Sequence, residues 1–193
     1  RTVHGMPPVW VAGDNPALHR MAAQKGYVVM VTPRHFTAEL LAKARARVED
    51  ACRAEGQDPA RLRFGALRHM CIADDRAEAA AFLEQVRYQI RLSQSLRHRE
   101  QALDGGMLVE KPWPGEMSLE VMGERMLVGS AEAVAGRLVA EIRAASLCHY
   151  LLQFQAGSSP LDLALRSIDR FAAEVRPRLE RALGPLEGIG VVA

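Results

Sequence analysis

Only a few side chains in this 193-residue sequence have types and spacings that suggest chemistry. The first are in the segment Gly13-Asp14-Asn15-Pro16-Ala17-Leu18. Asp14 and Asn15 are both residues that cap helices, and Pro16 suits a first helical position. A helix starting there presents unpaired amides and the positive end of its dipole, which is the chemistry of an anion site. His19 lies one turn into that helix. Arg34-His35 follow an apolar run and read either as a pair that binds an anionic molecule or as ordinary loop residues. Arg68 and His69 are neighbours in a strand-like run, so they point to opposite faces. Whichever faces inward is either a contact to a bound molecule or a hydrogen-bonded interior group. Trp113 stands between Pro112 and Pro114 as a stiff apolar element. Cys52, Cys71 and Cys148 are far apart, odd in number and without Cys-x-x-Cys spacing, so no metal site and no disulfide framework is expected.

These residues need elements to position them. Val9–Gly13 is apolar throughout and reads as a short buried strand. The following helix carries Leu18, Met21, Ala22 and Lys25 and stops at Gly26. Tyr27–Thr32 is a second buried strand, β-branched and continuous. Thr37 caps a helix with Leu40, Leu41, Ala44, Val48, Ala51 and Cys52 on one face, and Gly56 closes it. A third strand spans Leu62 to Ala73. Asp74 or Asp75 then caps a long helix with Ala79, Phe82, Leu83, Val86 and Ile90 as its stripe. From Leu96 to Leu127 the periodicity dissolves, and residues 97–127 are expected to form a mobile loop or lid. Ser130 caps a helix bearing Val134, Leu138 and Ile142. His149–Phe154 is a fourth strand. Ser159 caps the last helix at Pro160, with Leu163, Ile168, Phe171 and Val175 facing inward and Pro177 tightening its final turn.

Strand and helix thus alternate four times, the pattern of a parallel sheet with right-handed crossovers. Four units suit half of a (β/α)8 barrel or a small open sheet, and a full barrel needs about 250 residues. Hydrophobic residues at 49% and charged residues at 25% make the composition globular. A net charge of +2 with interleaved signs argues against a nucleic-acid platform. No apolar run is long enough to span a membrane and no signal peptide is legible, which with reduced cysteines suggests a cytoplasmic protein. The sequence begins at Arg1 rather than Met, so a trimmed piece of something longer is expected.

Several stretches carry a family resemblance. Pro7-Pro8-Val9-Trp10-Val11-Ala12-Gly13-Asp14-Asn15-Pro16, followed by Ala22-Ala23-x-x-Gly26, resembles the fifth strand, loop and helix of luciferase-like flavin-dependent monooxygenases. Val128-Gly129-Ser130-Ala131-Glu132-x-Val134 resembles that family's entry to the last crossover. His149 to Gly157, with Leu165-x-x-Ile168-x-x-Phe171 and Val175-x-Pro177-x-Leu179, resembles its final strand and helix. The resemblance implies an α/β chain of (β/α)8 TIM-barrel type, here a single domain over 1–193 supplying about four βα units, strands five to eight.

It further implies a flavin at the C-terminal ends of the strands, its phosphate held by the loop after strand five, so Gly13, Asp14, Asn15, Leu18 and His19 are the implied cofactor contacts. Family members often carry serine or another small polar residue where Asp14 and Asn15 stand, and an aspartate beside a phosphate repels it unless its carboxylate is otherwise engaged. Arg34, His35, Arg68, His69 and the lid residue Trp113 become substrate or closure candidates. The implied activity is that of a monooxygenase using reduced FMN from a separate flavin reductase, and oxygen, on a small organic substrate. The family often dimerises, so a homodimer is a further expectation. The catalytic base is expected in the N-terminal half, which this sequence does not include. Competing readings are a deazaflavin-dependent hydride-transfer enzyme of the same superfamily, a non-catalytic flavin-binding half-barrel, and an unrelated small α/β domain.

Overall fold

A computed structural model of the chain describes residues 7–32, 37–99 and 101–186. Along the chain run β1 (Trp10–Ala12), α1 (Pro16–Lys25), β2 (Val28–Val31), α2 (Ala38–Ala54), β3 (Phe64–Ile72), α3 (Arg76–His98), β4 (Ala102–Asp104), β5 (Met107–Val109), α4 (Leu119–Arg125), β6 (Leu127–Gly129), α5 (Ala131–Ala145), β7 (His149–Gln153), α6 (Leu161–Arg170) and α7 (Arg176–Leu183). The residues group into two compact units. Unit 1 holds the chain up to Arg68, Ala135–Leu152 and the part from Pro177; unit 2 holds His69–Val134 and Gln153–Arg176. β3 contributes its first residues to one and its last to the other.

In unit 1, β1 pairs with β2 and β2 with β3, all parallel, in the register Trp10↔Val28 and Val29↔Phe64. β7 pairs with β3, and the Cys148 amide donates to the Phe64 carbonyl at 3.0 Å. Val29, Val31, Phe64 and Ala66 share one face of this sheet and pack on Ala22 of α1 and Leu41, Ala44 and Val48 of α2. Those α2 residues recur every three or four positions, so one helix face is buried and the charged residues face outward. Thr37 caps α2 as the sequence predicts, and α1 stops where Gly26 turns left-handed at φ +66°.

β1 departs from the expected buried strand. Trp10 is 41% exposed and Ala12 is exposed too, because among the described residues β1 pairs only with β2 and forms an edge. On that same face, the Trp10 ring lies 4.6 Å from the His149 ring at 38°. Gly65, registered with Met30, leaves the space this face needs: a Cβ there would meet the His149 carbonyl oxygen at 2.9 Å.

In unit 2, β6 pairs in parallel with the last residues of β3, Met70↔Leu127 through Ile72↔Gly129. Phe82, Leu83, Val86 and Ile90 of α3 pack with Met122, Met126, Val128 and Leu163 in one apolar cluster. Asp75 caps α3 by accepting from the Glu78 amide at 2.9 Å. Elements form within the stretch Leu96 to Leu127 where the periodicity dissolves: α3 continues to His98, β4 and β5 form an antiparallel hairpin, and α4 and β6 follow. The Gly105-Gly106 turn, at φ +51° and +81°, supplies the two positive-φ residues a tight hairpin requires.

Ser130 caps α5, its Oγ accepting from the Ala133 amide at 3.2 Å. Ser159 does not cap α6; its Oγ accepts from the Ala156 amide at 3.2 Å, and α6 starts behind Pro160 without a side-chain cap. Ile168, expected inward, is exposed, whereas Leu163 and Val175 are buried. Pro177 has no N–H to donate to the Ala173 carbonyl, and the helix widens into a π turn over Phe171–Val175 just before it. Among the described residues no helix is long and apolar enough to cross a membrane.

Candidate functional site

The turn from β1 into α1 lies wholly in unit 1. Gly13 takes φ +147° and its amide donates to the Met30 carbonyl at 3.1 Å, which ties the turn to β2. Asn15, in extended backbone, is the helix cap; its Oδ1 accepts from the Leu18 amide at 2.9 Å. Pro16 has no amide, so Ala17 is the first-turn N–H left without an intrahelical partner. Replacing Asn15 with alanine is expected to lower stability by about 1 kcal/mol, read as a fall in thermal midpoint.

Asp14 is engaged from α2. Its carboxylate accepts from Arg47, Nε at 3.3 Å and Nη2 closer still. His19 Nε2 lies 3.4 Å from Asp14 Oδ1 without making a hydrogen bond. The imidazole is only 3% exposed, and its other polar contact is a backbone hydrogen bond to Gly13. Burial pulls its pKa below 6.5; Asp14 and the Gly13 bond pull it back up and Arg47 pushes it down. His19 is therefore not the solvated residue such a position usually holds. A cleft of about 350 Å3 opens beside the turn, lined by Asp14, Pro16, His19, Arg20, Arg47 and Asp50 with two alanines. Two aspartates and two arginines leave it formally neutral while His19 is neutral.

The start of α1 carries groups that act on an anion. The Ala17 amide faces no helical acceptor, Arg20 brings positive charge, and the Asp14 charge that would repel an anion is engaged by Arg47. Gly13, Asp14, Asn15, Leu18 and His19 are thus one cluster, with Leu18 beside Gly13.

Of the remaining sequence candidates, Arg68, His69 and Trp113 make other contacts. Arg34 and His35 lie outside the described residues. Arg68 is buried in unit 1, where its Nη2 donates to Glu141 Oε1 at 2.7 Å, and Tyr150 donates to Glu141 Oε2 at 2.9 Å. His69 is buried in unit 2 with its Nε2 3.1 Å from Gln89 Oε1. Trp113 is partly buried against the unit 2 core, and Arg91 holds the chain on either side of it through Glu110 and Glu116. Sequence reasoning missed Arg47, Arg20 and Asp50. Arg47 is separated from Asp14 by 33 positions, and only the packing of α1 on α2 joins them. No cluster of metal-ligating side chains occurs among the described residues.

His149 also sits below its ordinary pKa, first through burial and then through Arg63. Both histidines are held neutral, so the unfolded chain takes up protons first on acidification. Their contribution is fully present above pH 6.5 and is lost as the pH falls through the depressed folded values. Thermal midpoints measured downward from pH 7 are expected to fall, and His19→Gln to flatten part of that fall. An unchanged slope in the variant would refute the assignment.

A family model described as luciferase-like monooxygenase matches residues 1–147. The chain belongs to this family. It is 30% identical over 182 residues to the uncharacterized protein y4vJ of Sinorhizobium fredii, covering 94% of this chain and 52% of that protein. It is 28% identical over 178 residues to the oxygenase component of the flavin-dependent trigonelline monooxygenase of Acinetobacter baylyi, covering 89% and 48%. The chain therefore spans about half the length of the curated relatives it matches. Among solved structures it resembles an F420-dependent secondary alcohol dehydrogenase (TM-score 0.63, 17% identity, 90% of this chain and 49% of that one). It also resembles the FMN-bound oxygenating constituent of 3,6-diketocamphane monooxygenase from Pseudomonas putida (TM-score 0.59, 20% identity, 90% and 49%). The luciferase-like chain thus has the α/β fold with parallel sheet of these TIM-barrel-type enzymes, over about half of their length.

Proposed function

We propose that this chain is part of a flavin-dependent monooxygenase that uses reduced FMN and molecular oxygen on a small organic substrate. The observation that carries the reading is the β1–α1 turn, where Asn15 caps the helix and Arg47 engages Asp14 in a chain of the luciferase-like family. The flavin, when bound, supplies the electrons that activate oxygen, one atom of which enters the substrate. The chain's own part is to hold the phosphate at the start of α1. Gly13 fixes the turn to β2, Asn15 sets the helix start, and Arg20 and Arg47 balance the charge. The likeness to an oxygenase component supports a separate reductase as the source of reduced flavin.

A deazaflavin cofactor is the second reading, favoured by the likeness to the F420-dependent dehydrogenase. Titration of the protein with FMN, riboflavin and a deazaflavin, followed by flavin fluorescence, separates the two. Binding of FMN at least about tenfold tighter than riboflavin is expected, a phosphate contribution of roughly 1.4 kcal/mol. Equal affinity for FMN and riboflavin would remove the phosphate assignment, and preference for the deazaflavin would select the second reading.

A further inference from the structure

The parallel sheet of unit 1 is covered by helices on one face and open on the other. Its strands lie in the order β1-β2-β3-β7, and α1 and α2 pack on the face that holds Val29, Phe64 and Ala66. Alternation puts Trp10 and Ala12 of β1, Leu67 of β3 and Leu151 of β7 on the opposite face. That face is apolar yet open: Trp10 is 41% and Leu151 46% exposed, Ala12 is exposed and Leu67 is half-buried. All-parallel sheets are almost always covered on both faces. The β1 edge is open as well. The Val9 carbonyl and the Gly13 amide bond to β2, so the N–H and C=O groups of Trp10 and Ala12 point outward, ready to pair with another parallel strand.

Size and shape define what covers this side. The chain spans about half the length of its luciferase-like relatives, and a (β/α)8 barrel encloses the sheet face opposite its helices. We propose that the open side of unit 1 seats the complementary half of a luciferase-like barrel, a body of four βα units. One of its strands adds in parallel to the β1 edge, and its inward apolar side chains cover Trp10, Ala12 and Leu151. A second copy of this chain would overfill the interior. The rings of Trp10 and His149, from the first and last strands of the sheet, already meet at 4.6 Å across β2 and β3. A second copy would bring another such pair to the same end, four rings where branched aliphatic side chains normally fill the layers. The complementary half therefore brings small or aliphatic side chains to that end. This proposal rests on the family's fold and is independent of the flavin reading.

The test co-expresses this chain with the part of the y4vJ protein that it does not match. Assembly is measured by analytical ultracentrifugation, and the β1 edge is followed by amide hydrogen exchange. The expected result is a monomer for this chain alone, a 1:1 complex with the added part, and slowed exchange at Trp10 and Ala12 in the complex only. Leu151→Glu is expected to weaken the complex at least about tenfold, because it places an unpaired carboxylate in the closed interior. Lys43→Ala, at an exposed position of α2 on the helix side, is expected to leave the complex unchanged. A homodimer of this chain alone with Trp10 and Ala12 protected would overturn the proposal in favour of a second copy. Absence of the 1:1 complex, or a complex that Leu151→Glu leaves intact, would overturn it as well. A complex that binds FMN and riboflavin equally would sustain this proposal and remove the phosphate assignment.

Discussion

Glu141→Ala is expected to destabilise the protein by about 3–5 kcal/mol, the usual consequence of removing one member of a buried ion pair. Arg68 is 2% exposed and Glu141 3%, and the carboxylate joins β3 to β7 by accepting from both Arg68 and Tyr150. Burial raises the pKa of Glu141, and Arg68 and Tyr150 oppose that rise. The alanine variant would leave the Arg68 charge without this carboxylate and the Tyr150 hydroxyl without its acceptor. Against a typical total of about 5–15 kcal/mol, much of the stability margin is at stake. Urea denaturation followed by tryptophan fluorescence reads the change. The double variant Arg68→Met/Glu141→Leu is expected to recover most of the loss, because it removes the charges as well as the bond. If Glu141→Ala unfolds with the parent's midpoint, the pair is not the buried bridge described above.

Gly65→Ala is expected to cost about 1–3 kcal/mol, toward the upper end of that range for overpacking. Its added Cβ would meet Met30 Sδ, His149 O at 2.9 Å and His149 Cβ at 3.0 Å. Met30 Sδ is the far end of a flexible side chain and can move. The His149 carbonyl is backbone in β7 and cannot move without disturbing β7 and the Trp10–His149 stack. The cause here is space and not backbone conformation. Trimming the neighbour in a Gly65→Ala/Met30→Ala variant should therefore fail to rescue stability, and the altered Trp10 environment should show in its fluorescence. Rescue by the methionine change alone would place the obstruction on the side chain.

Much of the order of elements was legible in the sequence. Pro16, Gly26, Thr37, Asp75 and Ser130 act on the local backbone, where φ restrictions and side-chain-to-amide bonds operate within three or four residues. The continuous apolar run at Val28–Val31 and the three-and-four spacing on α2 announce burial by themselves. The Gly105-Gly106 hairpin was also written locally, but strands of three residues carry too little period to stand out. Ser159 shows the opposite failure: its type fits a cap, yet a nearer acceptor role to the Ala156 amide takes the side chain.

For the site, the sequence by itself determined the helix start that presents Gly13 to Leu18, because Asn15 and Pro16 act within one turn. It left Asp14 as an apparent obstacle to an anion. Only the tertiary structure decided that Arg47, 33 positions away, engages that carboxylate and that His19 is buried against it. Likewise, alternation placed Arg68 and His69 on opposite faces, but packing chose Glu141 as the partner of the first and Gln89 as that of the second. The reason is physical: caps and turns are short-range, whereas charge compensation and burial depend on which helices the fold brings side by side, and no local pattern encodes that.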